Sequence, residues 1–291
     1  MAHRLLADPR HFQIAALGGL LIYGVLGLDF DVRWDVVLVG VVTALAVQAL
    51  GTRWAGLPRF DARSPLISSL SLALLLRTES LALPALAAAI AIGSKFLLRS
   101  RDKHLFNPTN LALVVLLLTT DRVWVSPGQW GHWAFFGFLI AALGTLVVQR
   151  ATRADVTLAF LGAYAALLVG RAWYLGDPLA IPLHQMKSGA LLLFAFFMIS
   201  DPKTTPDSRA GRIVFAVAVA VLGAWMQFRL WEPNGLLFAL AALSPLVAVL
   251  DRVLPGLRFR WPGGEGGHGG PPPRSRSMPA SPTLAFERGA S

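Results

Sequence analysis

Polar and apolar positions alternate along this chain in blocks far longer than the period of a soluble helix. Ten apolar stretches stand out, at 11–28, 35–50, 65–76, 81–98, 107–119, 132–149, 156–170, 184–199, 211–229 and 235–250. A helix needs roughly 20 apolar residues to cross about 30 Å of hydrocarbon, and several of the stretches meet that length. The stretches 65–76 and 107–119 do not; at 1.5 Å per residue each reaches only about 20 Å. They predict half-helices or re-entrant segments, which are tolerated at membrane depth only where protein or a cavity shields the backbone. The first stretch has no Ala-x-Ala cleavage site and runs into Asp29-Phe-Asp, so it reads as an uncleaved span.

The basic residues divide unevenly between alternate connections. Twenty of the 26 Lys and Arg fall on one side, among them Arg10, Arg53, Arg63, Lys95, Arg99, Lys103, Arg153, Lys203, Arg212 and Arg252. The other side holds six: Arg33, Arg77, Arg122, Arg171, Lys187 and Arg229. The positive-inside rule then places both termini in the cytoplasm of a cell whose inner membrane holds the chain. Trp34, Trp54, Trp124, Trp130, Trp133, Trp173 and Trp231 fall at stretch ends, as an interfacial aromatic belt requires.

Composition agrees with this pattern. Of 291 residues, 55% are hydrophobic and 14% charged, against roughly 25% charged in soluble domains. With no cysteine, disulfides, thiolate zinc sites and Cys-ligated iron–sulfur clusters are excluded. The formal charge of +10 reads as membrane topology rather than nucleic-acid binding, because the basic residues sit between apolar runs. From Pro255 onward, 15 of 37 residues are Gly or Pro, which predicts a disordered tail over 255–291. Its Arg258, Arg260, Arg274 and Arg276 offer an alternative reading as a contact for anionic lipid or a partner.

Two segments recur. Arg63-Ser-Pro-Leu-Ile-Ser-Ser-Leu opens one apolar run and Lys187-Ser-Gly-Ala-Leu-Leu-Leu-Phe another, with Ser188 lying 124 residues after Ser64. Phe106-Asn-Pro-Thr-Asn and Trp231-Glu-Pro-Asn-Gly open a second matching pair, with Pro233 lying 125 residues after Pro108. Five spans per copy is an odd number, so the second copy is inserted upside down. The expected fold is all-α and integral to the membrane: a short N-terminus over 1–10, a first five-span repeat over 11–119 and an inverted second repeat over 132–254. Inverted repeats place their binding sites where broken helices meet near the midplane.

Chemistry-bearing residues cluster at span edges. The span interiors carry almost no carboxylate or histidine, which argues against an autonomous proton or sodium pump. In His104-Leu-Phe-Asn-Pro108, Asn107 can cap the helix that Pro108 begins. The same helix start, beside Lys95, Arg99, Arg101 and Lys103, can instead receive an anion. Asp201-Pro202 cuts off the eighth stretch, and Thr204-Thr205-Pro206 makes a polar turn. Asp201 either orients a cofactor hydroxyl or simply terminates the helix through local bonds. Ser64, Ser68 and Ser71 share a face that lines a polar path or allows close packing, and Ala85, Ala89 and Gly93 read as a packing seam. His132 and His184 are single and interfacial, without metal-ligand spacing. No phosphate loop, dinucleotide fingerprint or nucleophile elbow is present.

These motifs resemble a family of integral membrane subunits found in the sodium-pumping NADH:quinone reductase (Nqr) and in the Rnf electron-transport complex. Ser64-Pro-Leu-Ile-Ser-Ser-Leu, Lys95 and His104-Leu-Phe-Asn-Pro-Thr carry the likeness in the first half. Ser188-Gly189-Ala190, Ala195-Phe196-Phe197, Asp201-Pro202, Gly211-Arg212, Phe215 and Pro245-Leu-Val-Ala-Val-Leu-Asp251 carry it in the second, so that it covers about 60–255. The resemblance implies a urea-transporter-like architecture and a flavin or quinone near Lys95, Phe106, Asn107, Pro108, Ser188, Gly189, Asp201, Pro202, Thr204 and Thr205. In the family, a long outer loop carries a Thr that holds FMN through a phosphoester. Here that loop is only 119–131, and Thr119 and Thr120 lack the Gly-Ala-Thr type of attachment motif. The flavin implied, FMN or riboflavin, is therefore held non-covalently, with other membrane or redox subunits as partners. The alternative is a permease, an exporter or a membrane accessory of natural-product biosynthesis of the enediyne kind, where short-loop relatives occur.

Overall fold

The structure, a computed structural model, describes residues 9–27, 32–100, 103–126 and 154–257. All nine apolar stretches that fall within these residues form helices. The sixth stretch, 132–149, and most of the Gly/Pro-rich tail lie outside them, as do His132, Trp130 and Trp133. In chain order the helices are α1 (Pro9–Gly27), α2 (Trp34–Trp54), α3 (Arg63–Leu75), α4 (Ala82–Leu97), α5 (Pro108–Thr119), α6 (Ala154–Leu175), α7 (Ala180–Met186), α8 (Gly189–Leu193), α9 (Arg209–Arg229), α10 (Gly235–Leu243) and α11 (Leu246–Val253). Helix is the expected outcome for such sequence, because in hydrocarbon every backbone group must be satisfied within the segment.

Lengths refine the reading of the spans. Among the described residues, only α2, α6 and α9 are single helices long and apolar enough to cross a membrane, and α7–α8 and α10–α11 each form a bent pair of sufficient length. The stretch 81–98 forms a 16-residue helix, short of a full crossing and so a third short helix beside α3 and α5. The stretch 184–199 is not continuous. Its helix begins earlier, at Ala180, breaks at Lys187-Ser188 with a 50° bend, and continues through α8 into a π-helical turn over Phe194–Met198. The stretch 235–250 likewise breaks at Ser244-Pro245, with a 52° bend. Pro245 supplies the reason, since it lacks the N–H that a continuous helix requires.

Local chemistry sets the helix ends. Asn107 accepts from the Asn110 N–H at 3.0 Å with Pro108 in the first helical position, and Ser208 accepts from Gly211 at 3.0 Å. α9 ends on Trp231 at φ 58°, a left-handed residue that lets the Glu232 N–H reach back to the Met226 carbonyl at 3.2 Å. Trp34, Trp54, Trp124, Trp173 and Trp231 are all exposed at element ends, matching an interfacial belt.

Two short antiparallel pairs tie the connections. β1 (Leu76–Arg77) follows α3 and pairs with β4 (Trp124–Val125), while β2 (Arg99–Ser100) and β3 (Lys103–His104) form the turn between α4 and α5. One buried apolar cluster draws on both halves of the chain, including Leu17, Leu74, Leu113, Phe160, Leu193, Phe215 and Leu240. Phe160 stacks on Tyr164, with ring centroids 5.8 Å apart, and tilts against Phe194 at 5.0 Å. α9 and α10 approach closely: a Cβ added to Gly235 would lie 2.8 Å from the Gly223 carbonyl oxygen. The buried face of α4 is Pro84, Ala87, Ala88, Ala91 and Ile92 rather than Ala85, Ala89 and Gly93. An alanine-rich helix offers small residues all round, so spacing alone did not fix which face packs.

Candidate functional site

The connections sort into two groups that bond only within themselves, among the long-range contacts of the described residues. Arg10 meets Asp61 at 2.6 Å, Lys95 meets Ser64 at 2.8 Å, Lys103 meets Asp251 at 2.6 Å, and Arg212 meets Asp155 through two bonds. All of these belong to the arginine- and lysine-rich side. On the opposite side Arg33 donates to the Glu79 carbonyl at 2.8 Å and β1 pairs with β4. This is the arrangement expected of loops held on two faces of one bundle.

The polar turn after the π segment sits on the basic face. Pro202 follows Asp201 and denies the helix its next N–H, so the chain turns. The Asp201 carboxylate accepts from the Lys203 N–H at 2.9 Å and from the Asn107 side-chain amide at 3.4 Å. The Thr204 and Thr205 hydroxyls donate to the Asp201 backbone carbonyl at 3.3 and 3.1 Å rather than to its carboxylate. Asn107 does three things at once: it caps α5, reaches Asp201, and donates to the Met198 carbonyl at 3.3 Å. A π turn disturbs the regular ladder, and side chains satisfy the carbonyls there: Thr157 donates to Ala195 at 2.9 Å and Ser200 to Phe196.

Lys95 is buried on α4, bonded to Ser64 and within electrostatic reach of Asp201 and Asp61. His104 lies between the same elements, hydrogen-bonded to the Lys95 backbone and facing the Lys95, Arg99 and Lys203 charges. Burial first, then those cations, lowers its pKa to about 3, so it stays neutral at ordinary pH. Its Nδ1, and the Oδ1 of Asn110 at the start of α5, are buried acceptors with no hydrogen-bond partner. The Asn110 amide itself donates to the Leu237 carbonyl of α10 at 3.1 Å, joining the two helices that follow the repeated aromatic–polar–proline motif. Asp61, in the connection before α3, is pushed up by burial, but the bonds from Arg63 and the charge of Arg10 outweigh this and lower it to about 2.

Of the residues singled out in the sequence, Lys95, Asn107, Asp201, Thr204 and Thr205 come together in this cluster. Pro108 lies buried at the start of α5 and Phe106 half-buried just before it. Ser188 and Gly189 do not join. Ser188 caps α8, accepting from Leu191 at 3.5 Å, and the ten residues of α8 and its π turn carry it about 15 Å from the Asp201 end. Ser68 and Ser71 are buried on α3 in keeping with close packing, and His184 is exposed.

A second polar knot adjoins the cluster and is not evident in the sequence. Lys103 Nζ reaches Asp251, Asp207 and the Thr205 carbonyl at 2.6, 2.8 and 2.9 Å. The Asp207 N–H donates to Asp251 at 2.7 Å, and Arg212 donates to the Asp207 carbonyl at 2.8 Å. The one signal was an acid, Asp251, closing the last apolar stretch.

Comparison with known proteins places the likeness. Residues 118–258 match the family model described as the NQR2, RnfD, RnfE family. A relative from Sodalis glossinidius (strain morsitans), named as a subunit of an ion-translocating oxidoreductase complex, is 32% identical over 133 residues, covering 44% of this chain and 36% of that protein. Proteins of the same name from Escherichia coli O1:K1 / APEC and Stutzerimonas stutzeri are 33% identical over 133 residues and 40% over 75. They are covered over 33% and 20% of their length, and cover 45% and 24% of this chain. The match thus spans about a third or less of each relative. The family-model match takes in Ser188, Gly189, Asp201, Pro202, Thr204 and Thr205, whereas Lys95, Phe106, Asn107 and Pro108 precede it.

Proposed function

With residues 118–258 similar to the NQR2, RnfD, RnfE family, we propose that the chain is a membrane subunit of an electron-transport assembly and holds a flavin or quinone non-covalently at the Asp201–Asn107–Lys95 cluster. The observation that carries this reading is the convergence of Lys95 and Asn107, from the first half, with the Asp201 turn, from the matched half. The donor set suits a flavin. Lys95, with one of its three N–H groups on Ser64, would offer the others to ring carbonyls, and the unpartnered Asn110 Oδ1 and His104 Nδ1 would accept from a ring N–H or ribityl hydroxyls. A bound flavin or quinone supplies the one- or two-electron redox chemistry that none of these side chains can. The protein's part is to orient the ring, to hold Lys95 as a donor, and to exclude water through the buried walls of α4, α5 and the π turn. Both termini face the cytoplasm in this reading, and the partners are other membrane or redox subunits.

An absorbance spectrum of the purified protein tests it. Flavin bands should be present before denaturation and leave with the small-molecule fraction after it. A fluorescent protein band at about 31 kDa on a denaturing gel would contradict non-covalent binding. Reporter fusions near Pro127 and after Ser291 test the topology, which fails if the C-terminus supports a periplasm-dependent reporter. A permease, or a membrane accessory of natural-product synthesis, is the second reading. It draws on the two bent pairs α7–α8 and α10–α11, since broken helices line many transport sites. A flavin- and quinone-free protein that moves a small organic solute in vesicles would favour it.

A further inference from the structure

Helix α11 is an odd end for a membrane span. The 52° bend at Ser244-Pro245 turns it away from the axis of α10, so its eight residues, about 12 Å long, advance only about 7 Å along that axis. One edge carries Leu246, Val249 and Val253, exposed by 38%, 47% and 69%, and Leu257, also exposed, follows past the helix end. The spacing of three and four residues makes this a single stripe. The opposite edge is fixed inward: Val247 is buried, and Asp251 accepts from Lys103 and from the Asp207 N–H. Just beyond, a Cβ on Gly256 would lie 2.4 Å from the Ser208 nitrogen, so the chain presses directly on the 207–208 backbone. Arg252 is exposed beside the stripe, and Arg258 and Arg260 follow in sequence.

We infer that α11 is an interfacial anchor: it rests the Leu246–Val249–Val253 edge in the headgroup region of an anionic lipid surface and, through Asp251, holds the Asp201–Asp207 turn in its shape. A short amphipathic helix with a cation beside its apolar edge binds in this way, and Arg252 adds attraction to anionic headgroups. The occupant is lipid because the stripe is apolar, lies on the basic face and has the exposed Arg252 beside it. The consequence is regulatory: lipid that seats α11 tightens the turn, and release of α11 loosens it. The inference takes the Asp201 turn as the functional site proposed above. Its tests read lipid depth and backbone exchange, so a protein found to be free of flavin leaves them intact.

Because the chain has no cysteine, single cysteines report without background removal. Val249→Cys, Val253→Cys and Arg252→Cys, each labelled with an environment-sensitive fluorophore, are placed in nanodiscs of phosphatidylcholine with or without a quarter phosphatidylglycerol. A shallow spin-labelled lipid should quench positions 249 and 253 at least about twofold more than 252, and more strongly with the anionic lipid. Equal quenching at the three positions would overturn the anchor, and quenching indifferent to phosphatidylglycerol would overturn its anionic preference. In hydrogen exchange, Asp251→Asn and the Val249→Ser/Val253→Ser pair should each speed exchange over 203–208 about tenfold while α6 is unchanged. Unaltered exchange in Asp251→Asn refutes the coupling through Asp251, and unaltered exchange in the Ser pair alone refutes control by the membrane.

Discussion

Asn107 joins the cap of α5 to the Asp201 turn, and its loss should be large and separable. Asn107→Ala removes the bond to the Asn110 N–H, a cap worth about 1 kcal/mol. It also strips the Met198 carbonyl and the Asp201 carboxylate of their amide donor. Neither acceptor is left bare, since the Asp201 N–H still reaches the Met198 carbonyl at 3.3 Å and the Lys203 N–H still reaches the carboxylate at 2.9 Å, so the lost bonds cost only about 1 kcal/mol net. The total is about 2 kcal/mol. Asn107→Ser keeps a capping oxygen but cannot reach Met198, so it should recover only the capping share, about 1 kcal/mol. In a chain of this size each kcal/mol moves the melting temperature by about 2–4 °C. Thermal unfolding in detergent, followed by tryptophan fluorescence, should therefore rank wild type above Ser above Ala. Asn107→Ala melting within a degree of wild type would show that the cap and the bridge contribute nothing. Ser and Ala melting together would show that the bridge alone matters.

Three further outcomes follow from other parts of the molecule. Asp155→Ala should cost about 3–5 kcal/mol, since it leaves the buried Arg212 without its charge partner; the double variant Asp155→Leu/Arg212→Met should melt well above that single variant, and similar melts for the two would sink the argument. Gly235→Ala should separate α9 from α10, lowering the melting temperature at a cost of about 1–3 kcal/mol, because the added Cβ meets backbone 2.8 Å away; an unchanged melt would mean the helices part freely. The pKa of His104 is lowered to about 3, so the unfolded chain binds its proton first. The stability tied to its neutral form is whole above pH about 6.5 and is lost progressively as pH falls from there toward 3. His104→Gln should flatten melting temperature against pH in that window, and a slope equal to that of wild type would refute the assignment.

Much of the helical layout was legible because lipid leaves few alternatives: a long apolar run must close its own hydrogen bonds. Asn107-Pro108 announced a capped helix start, and Asp201-Pro202 a turn, by the side-chain chemistry of those residues alone. The break at Ser244-Pro245 was missed, because 235–250 read as one continuous apolar stretch. What could not be read were pairings across long separations. Lys103 finds Asp251 and Thr205, 148 and 102 residues away, and nothing local to any of them selects the partner. Asp201 gave a similar lesson. Thr204 and Thr205 are its neighbours in sequence, yet their hydroxyls turned to its backbone carbonyl and Asn107, which also bonds the Met198 carbonyl, reached the carboxylate. The π turn itself left no mark in Phe194–Met198 beyond apolarity.

The long reach of Lys103 also bears on how the chain is made. Its partner Asp251 emerges 148 residues later, roughly 7–30 s behind it at ordinary rates of synthesis. For that interval Lys103 stands on the basic face with its ammonium hydrated, a state that costs it little. The knot closes only when the last helix has arrived, and closing it fastens the 205–207 turn. A product truncated before Asp251 would hold nearly every described span and still lack the fastening, so the polar turn is completed only after Asp251 has been made.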